Sequence, residues 1–286
     1  LFRSTSAPAI AAFGSRNASP SGSRSDRWLL FFGNGPDDLA SATSVGNGRL
    51  FALDLGSLIA AANSSQPAAA ALIGGAPIDF GSSAAAGAPA SFIGDPVVAD
   101  WDLDFLADAL YVGSSGGTAA NPIGRLFKLA FNESATAGNW AAPAVLLDVG
   151  RPVLAAPSVT QDRDGRRWLL SGSGRLLASG DRSSSAGQVL FGVIDGLPTT
   201  PAPSFATLVD TGSAVVQPSG MVSGVTNTST ELSLLAATVN AGGWRHALAT
   251  AAGTAAERSI SGTALVDGLL FATTYTPSIS LCSGDG

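Results

Sequence analysis

The feature that most constrains the fold is a recurring local pattern: an apolar run, a turn rich in Gly, Ser and Asn, then a second apolar run. Trp28-Leu29-Leu30-Phe31-Phe32-Gly33-Asn34-Gly35 is answered by Gly48-Arg49-Leu50-Phe51-Ala52-Leu53-Asp54-Leu55. Residues 109–117, which include Tyr111-Val112-Gly113, are answered by Gly124-Arg125-Leu126-Phe127-Lys128-Leu129. Trp168-Leu169-Leu170-Ser171-Gly172 is answered, after an insertion, by Gln188-Val189-Leu190-Phe191-Gly192-Val193-Ile194-Asp195. Weaker copies pair 231–239 with 244–249 and 262–265 with 269–274. Each copy reads as a β-hairpin whose second strand starts at or just after a glycine. One hairpin cannot bury both of its faces, but hairpin units repeated at a blade-like period can, by packing face to face around an axis.

The expected fold is therefore all-β, a β-propeller, with a β-sandwich as the alternative for the same pattern. Residues 28–286 are read as the propeller and 1–27 as a loop or linker segment. The stretches 4–27 and 61–90, rich in Ser, Ala, Gly and Pro, are read as surface loops or insertions. Phe31, Phe51, Tyr111, Phe127, Trp168 and Phe191 stand at matching points of the repeat and are predicted to be buried between sheets. Composition agrees with strands. The 286 residues include 35 Gly and 16 Pro, while a hydrophobic content of 45% argues against disorder. Helix-favouring Glu is confined to Glu133, Glu231 and Glu257, and Lys to Lys128.

The net charge of −6, with no basic run, argues against nucleic acid or an anionic membrane surface as partner. No stretch is long and apolar enough to cross a bilayer, so no membrane insertion is expected. Cys282 is the single cysteine and has no partner for an internal disulfide. The chain starts at Leu1, without an initiator Met or a signal peptide, and is expected to be part of a longer chain.

The most informative segment is Asp100-Trp101-Asp102-Leu103-Asp104-Phe105-Leu106-Ala107-Asp108. Carboxylates at the first, third, fifth and ninth positions of a tight loop can converge on one hard cation. Ca²⁺ takes about six to eight oxygens, so the Leu106 carbonyl at the seventh position is expected to join Asp100, Asp102, Asp104 and Asp108. No Lys or Arg between Asp95 and Asp108 offsets the mutual repulsion of these groups. The alternative is a strand with Asp outward and Trp101 and Leu103 in the core. Phe105 stands at the sixth position, where such loops usually carry Gly for a sharp turn. Asp162-Arg163-Asp164-Gly165 is a shorter version and reads as a plain β-turn.

Catalytic constellations are not legible. His246, the only histidine, lies in the alternating run Gly243-Trp244-Arg245-His246-Ala247-Leu248 and reads as a strand residue. No glycine-rich phosphate loop joins a strand to a helix. The repeated Trp-Gly docking motif of quinone-dependent propeller enzymes is not seen. Paired carboxylates for glycoside hydrolysis depend on spatial separation and stay open.

Gly94-Asp95-Pro96-Val97-Val98-Ala99-Asp100, the acidic loop, the strand end Tyr111-Val112-Gly113 and Gly124-Arg125-Leu126-Phe127 together resemble the signature of the PilC/PilY family of type IV pilus tip proteins. Arg151-Pro152-Val153-Leu154, Ser171-Gly172-Ser173-Gly174-Arg175-Leu176 with Asp181, the strand Gln188 to Asp195, Gly243-Trp244, and Pro277-Ser278 with Cys282 follow in the family's order. The resemblance spans 27–286 and is strongest over 95–195. It implies a C-terminal propeller with quinoprotein-like blades and a Ca²⁺ site at Asp100, Asp102, Asp104, Leu106 and Asp108. It further implies an extracellular or cell-surface location, pilus proteins or a host or extracellular surface as partners, and a part in pilus assembly and adhesion without catalysis. Phe105 and Lys128 depart from the family's usual Gly and Arg. The family also implies a partner for Cys282 outside this chain. The runner-up is a secreted propeller hydrolase or lectin acting on polysaccharide.

Overall fold

The computed structural model describes residues 4–14, 27–81, 90–132, 134–196, 203–250 and 254–278. Three sheets dominate. The first runs β1 (Ala9–Phe13), β2 (Arg27–Gly33), β3 (Arg49–Asp54) and β4 (Ile78–Asp79) as an antiparallel meander. The second contains β5 (Ser91–Ile93), β6 (Val97–Ala99), β7 (Ala109–Gly117), β8 (Pro122–Ile123), β9 (Arg125–Ala130) and β10 (Ala144–Asp148). Its meander is β6-β7-β9-β10, while β5 and β8 pair with the far end of β7. The third begins with β11 (Ser158–Gln161), β12 (Arg167–Gly172) and β13 (Val189–Asp195).

Helix α1 (Leu55–Asn63) follows directly on β3. After β13 the chain makes β14 (Val209–Asp210), the hairpin β15 (Val215–Val216) with β16 (Val222–Ser223), and helix α2 (Glu231–Ala241). It then returns as β17 (Gly243–Ala247), which pairs antiparallel with β13 and parallel with β14. A last hairpin joins β18 (Ala264–Val266) to β19 (Leu269–Phe271).

The alternation of side chains decides how the sheets stack. On β7, Leu110 and Val112 face the first sheet, meeting Phe13, Phe31, Phe127 and Phe131. Ala109 and Tyr111 face the third sheet, meeting Leu169, Phe191 and Val193. Successive strand residues point to opposite faces, so the middle sheet is buried on both sides. This explains why residues 109–112 of β7 are apolar throughout rather than alternating. All six aromatics expected in the core are buried. Phe31, Tyr111, Phe127 and Phe191 lie between sheets. Phe51 instead stacks on Phe32, 5.1 Å between ring centres.

One glycine position recurs where the meander pairing of the second strand ends, at Gly33, Gly113 and Gly172. A Cβ at Gly113 would fall on the Val153 carbonyl, and one at Gly172 on the Ser259 side chain. At each point the chain leading to the next unit crosses close by. Val153 N–H donates to Ser114 O and Ser259 N–H to Ser173 O, both at 3.0 Å. In the first unit the Asn34 side chain takes the equivalent bond from Ile93 N–H, also at 3.0 Å. Uneven insertions therefore leave a regular inner contact intact.

Three expectations are corrected. Residues 1–27 are not simply a loop or linker: β1 lies there, pairs with β2 and buries Ala11 and Phe13. The stretch 61–90 holds the end of α1, strand β4 and the fully buried Phe80. Residues 231–239 form α2 rather than a strand. Thr230 Oγ1 caps Ser233 N–H at 3.2 Å, Ser233 Oγ caps Thr230 N–H at 3.0 Å, and Gly242 closes the helix in left-handed geometry. Cys282 lies outside the described residues.

Candidate metal centre

The acidic loop joins β6 to β7. Its backbone is bent from Trp101 to Leu106 and makes no strand there. The strand alternative fails on Leu103, which is 79% exposed rather than in the core. Asp100 organises the bend by accepting from Asp104 N–H (3.2 Å) and Phe105 N–H (2.7 Å). Asp104 Oδ1 accepts from Leu106 N–H at 2.9 Å, and Asp108 Oδ2 from Trp101 N–H at 2.6 Å. Leu103 (φ 60°) and Phe105 (φ 71°) both take left-handed backbone. The turn that a glycine would normally supply is thus made by Phe105, at a cost in strain.

Asp100, Asp102 and Asp108 each offer an oxygen atom within 4.8 Å of the others, close enough to share one cation. Asp102 is exposed, while Asp100 and Asp108 are half-buried. Asp104 stands outside that group of three, with Oδ1 turned to the Leu106 amide. Leu106 is buried. All the oxygens are hard donors, which suits Ca²⁺.

The loop is anchored by a network that sequence reasoning missed. Trp101 Nε1–H donates to Tyr111 Oη (2.9 Å), and Tyr111 Oη–H donates to Asp195 Oδ2 (2.5 Å). Lys128 Nζ reaches the same Asp195 oxygen at 2.7 Å. The Arg167 guanidinium lies 5.4 Å from the Trp101 ring centre. Burial, then the charge of Asp195, pushes the Tyr111 phenol far above its ordinary range, so it stays a donor. These partners come from strands of the second and third sheets, up to 84 positions apart in Tyr111 and Asp195. The available signal was Lys128, a charge set among Leu126, Phe127, Leu129 and Ala130 of β9.

Other candidates resolve differently. Asp162-Arg163-Asp164-Gly165 forms the turn between β11 and β12, with Gly165 N–H donating to Asp162 O at 3.0 Å. His246 stands in β17, with Thr211 Oγ1 at 3.4 Å from Nδ1. A groove of about 680 Å³ runs between α2 and the outer face of the third sheet, lined by Trp168, Trp244, Leu234, Leu235, Asp162 and Glu231. Among the described residues no helix is long and apolar enough to cross a membrane.

No protein-family model and no curated protein sequence matches the chain. Among solved structures, the chain is similar to the crystal structure of the Pseudomonas aeruginosa PilY1 C-terminal domain, with a TM-score of 0.58 and 15% identity. The similarity covers 96% of this chain and 56% of that one, so this chain spans little more than half the length of its structural neighbour. At that identity the likeness is one of fold.

Proposed function

We propose that the chain is a calcium-binding propeller of a cell-surface or pilus-tip protein, contributing to type IV pilus assembly and adhesion. In this reading the three meanders and the β18–β19 hairpin are blades, and the recurrent glycine contact is the inner seam between them. The observation that carries the proposal is the convergence of Asp100, Asp102 and Asp108 on a loop anchored in the seam between two sheets. The likeness to the PilY1 C-terminal domain supports the pilus setting. Bound Ca²⁺ would offset the repulsion among the carboxylates and order the loop, and so set the surface beside it for pilus proteins or an extracellular surface. Binding, not catalysis, is the role inferred.

The test is thermal unfolding with and without chelator. Binding to the folded chain alone adds about 2.7 kcal/mol at a hundredfold excess over Kd. Chelation is expected to lower the melting temperature, and Asp102→Asn, at an exposed position, to abolish that response. A melting temperature indifferent to millimolar Ca²⁺ and to chelator would sink the calcium proposal.

The groove beside α2 offers the runner-up, a polysaccharide-binding lectin, two tryptophans to stack on sugar. It gives the hydrolase version less. Asp162 is bonded by Arg166 Nε (2.7 Å) and Trp168 Nε1 (2.9 Å). Burial pushes its carboxyl up, but donation from Trp168 and Arg166 outweighs this and leaves it below the usual carboxylate range. A carboxylate so held is a poor general acid.

A further inference from the structure

The outer face of the third sheet is apolar but only partly covered. On β12, Leu169 is buried against the second sheet, so its neighbours Trp168 and Leu170 face the other way, toward α2. On β17, Trp244 is the cross-strand partner of Gly192. A Cβ at Gly192 would fall 2.4 Å from Trp244 Nε1, so the glycine is what lets the indole lie against the sheet. Leu234 and Leu235 of α2 line the same groove from the helix. Helix and sheet stand apart here and leave a space of about 680 Å³ between them.

Most polar groups of this lining are committed elsewhere. Asp162 Oδ2 accepts from Arg166 Nε and Trp168 Nε1, and its Oδ1 accepts from the amides of Asp164 and Arg166. Gln161 Nε2 donates to Gly165 O at 3.1 Å, Thr211 Oγ1 to Arg245 O at 3.0 Å, and Thr238 Oγ1 to Leu234 O at 2.8 Å. A ligand rich in hydroxyls would give up its bonds to water and find few partners in exchange. What the groove still offers is mostly apolar surface, with one charge. Among the described residues the Glu231 carboxylate makes no hydrogen bond or ion pair, and no basic side chain lines the groove.

We propose that this groove binds a small molecule with an apolar body and one ammonium group. The body lies between the tryptophans and the α2 leucines, and the ammonium meets Glu231. The space of about 680 Å³ falls within the ~300–1,000 Å³ usual for small-molecule sites. Burial of the body supplies affinity, and Glu231 selects the sign of the charge. The indole faces favour the same sign, because an aromatic ring attracts a cation to its face. A carboxylate of the same shape would meet Glu231 as a like charge.

Calorimetric titration of the whole chain with hexylammonium, hexanol and hexanoate, each to about 10 mM, tests this. Hexylammonium is expected to bind about fivefold more tightly than hexanol, and hexanoate more weakly than either. Glu231→Gln should bring hexylammonium down to the level of hexanol and leave hexanol unchanged. Leu235→Ser, at a half-exposed position, should weaken hexylammonium and hexanol alike while circular dichroism stays native. No saturable heat with hexylammonium would overturn the proposal. So would hexanoate binding as tightly as hexylammonium, or hexylammonium binding that is unchanged by either substitution. Tighter binding of maltohexaose than of hexylammonium would overturn it in favour of a sugar site.

Discussion

Phe105 turns the acidic loop with a left-handed backbone (φ 71°), and its side chain is 82% exposed. It has the strain of a non-glycine residue there and little burial to set against it. Phe105→Gly should relieve ~1–2 kcal/mol of strain and lose about 0.5–1 kcal/mol to unfolded-chain entropy, for a net gain of about 0–1.5 kcal/mol. Urea unfolding in the presence of chelator isolates this term, and a lower midpoint for the variant would contradict it. Tyr111 is the opposite case. Its hydroxyl is buried, receives Trp101 Nε1–H and gives its proton to Asp195. Tyr111→Phe leaves both neighbours short of a partner and is expected to cost about 1–3 kcal/mol. The same melts should show a weakened response to Ca²⁺, because Trp101 sits inside the loop.

At the scale of elements, helix α1 depends on Asp54, the last residue of β3. Its Oδ1 accepts from Ser57 N–H (2.6 Å) and its Oδ2 pairs with Arg27 (2.9 Å). Burial pushes the carboxyl up, but the Ser57 and Arg27 bonds outweigh this and hold it below the usual carboxylate range. A folded-state pKa below the unfolded one gives stability that is present above about pH 4 and is lost as pH falls through the folded value. Asp54→Asn should therefore cost stability near neutral pH and converge with the unaltered chain at the acid end, as read by chemical unfolding at several pH values. The seams between sheets make a second element-level prediction. Gly113→Ala puts a methyl on the Val153 carbonyl and is expected to cost ~2 kcal/mol or more, whereas Gly138→Ala meets nothing within 4 Å and should be near neutral.

For the whole molecule, the middle sheet is the shared wall of both apolar clusters, and β7 contributes to each. Amides of β7 should exchange most slowly with deuterated water. Those of the β18–β19 hairpin, whose Val266, Leu269 and Phe271 are exposed, should exchange fastest. Fast exchange in β7 would mean that the two clusters do not close on a common sheet. Phe191→Ala, in the cluster between the second and third sheets, is expected to cost about 3–5 kcal/mol.

The sequence alone determined the hairpins 28–33 with 49–54, 109–117 with 125–130, and 167–172 with 189–195, because alternation and glycine turns are local properties of the backbone. It also marked the acidic loop, since Asp100, Asp102 and Asp108, whose carboxylates converge, lie within nine positions of one another. β1 escaped notice because its short run Ala-Ile-Ala-Ala-Phe gains its partners from β2 across a long connection, and from the more distant Ala107 and Phe131. Helix α2 escaped because Leu232 and Leu234 alternate as a strand would, and capping by Thr230 and Ser233 settled the matter locally. Which face of β7 meets which sheet, the bond from Tyr111 to Asp195 and the buried ion pair of Arg175 with Asp181 were decided by tertiary structure alone. Each depends on groups brought together from distant parts of the chain, where burial sets the cost of leaving a charge or a donor unpaired.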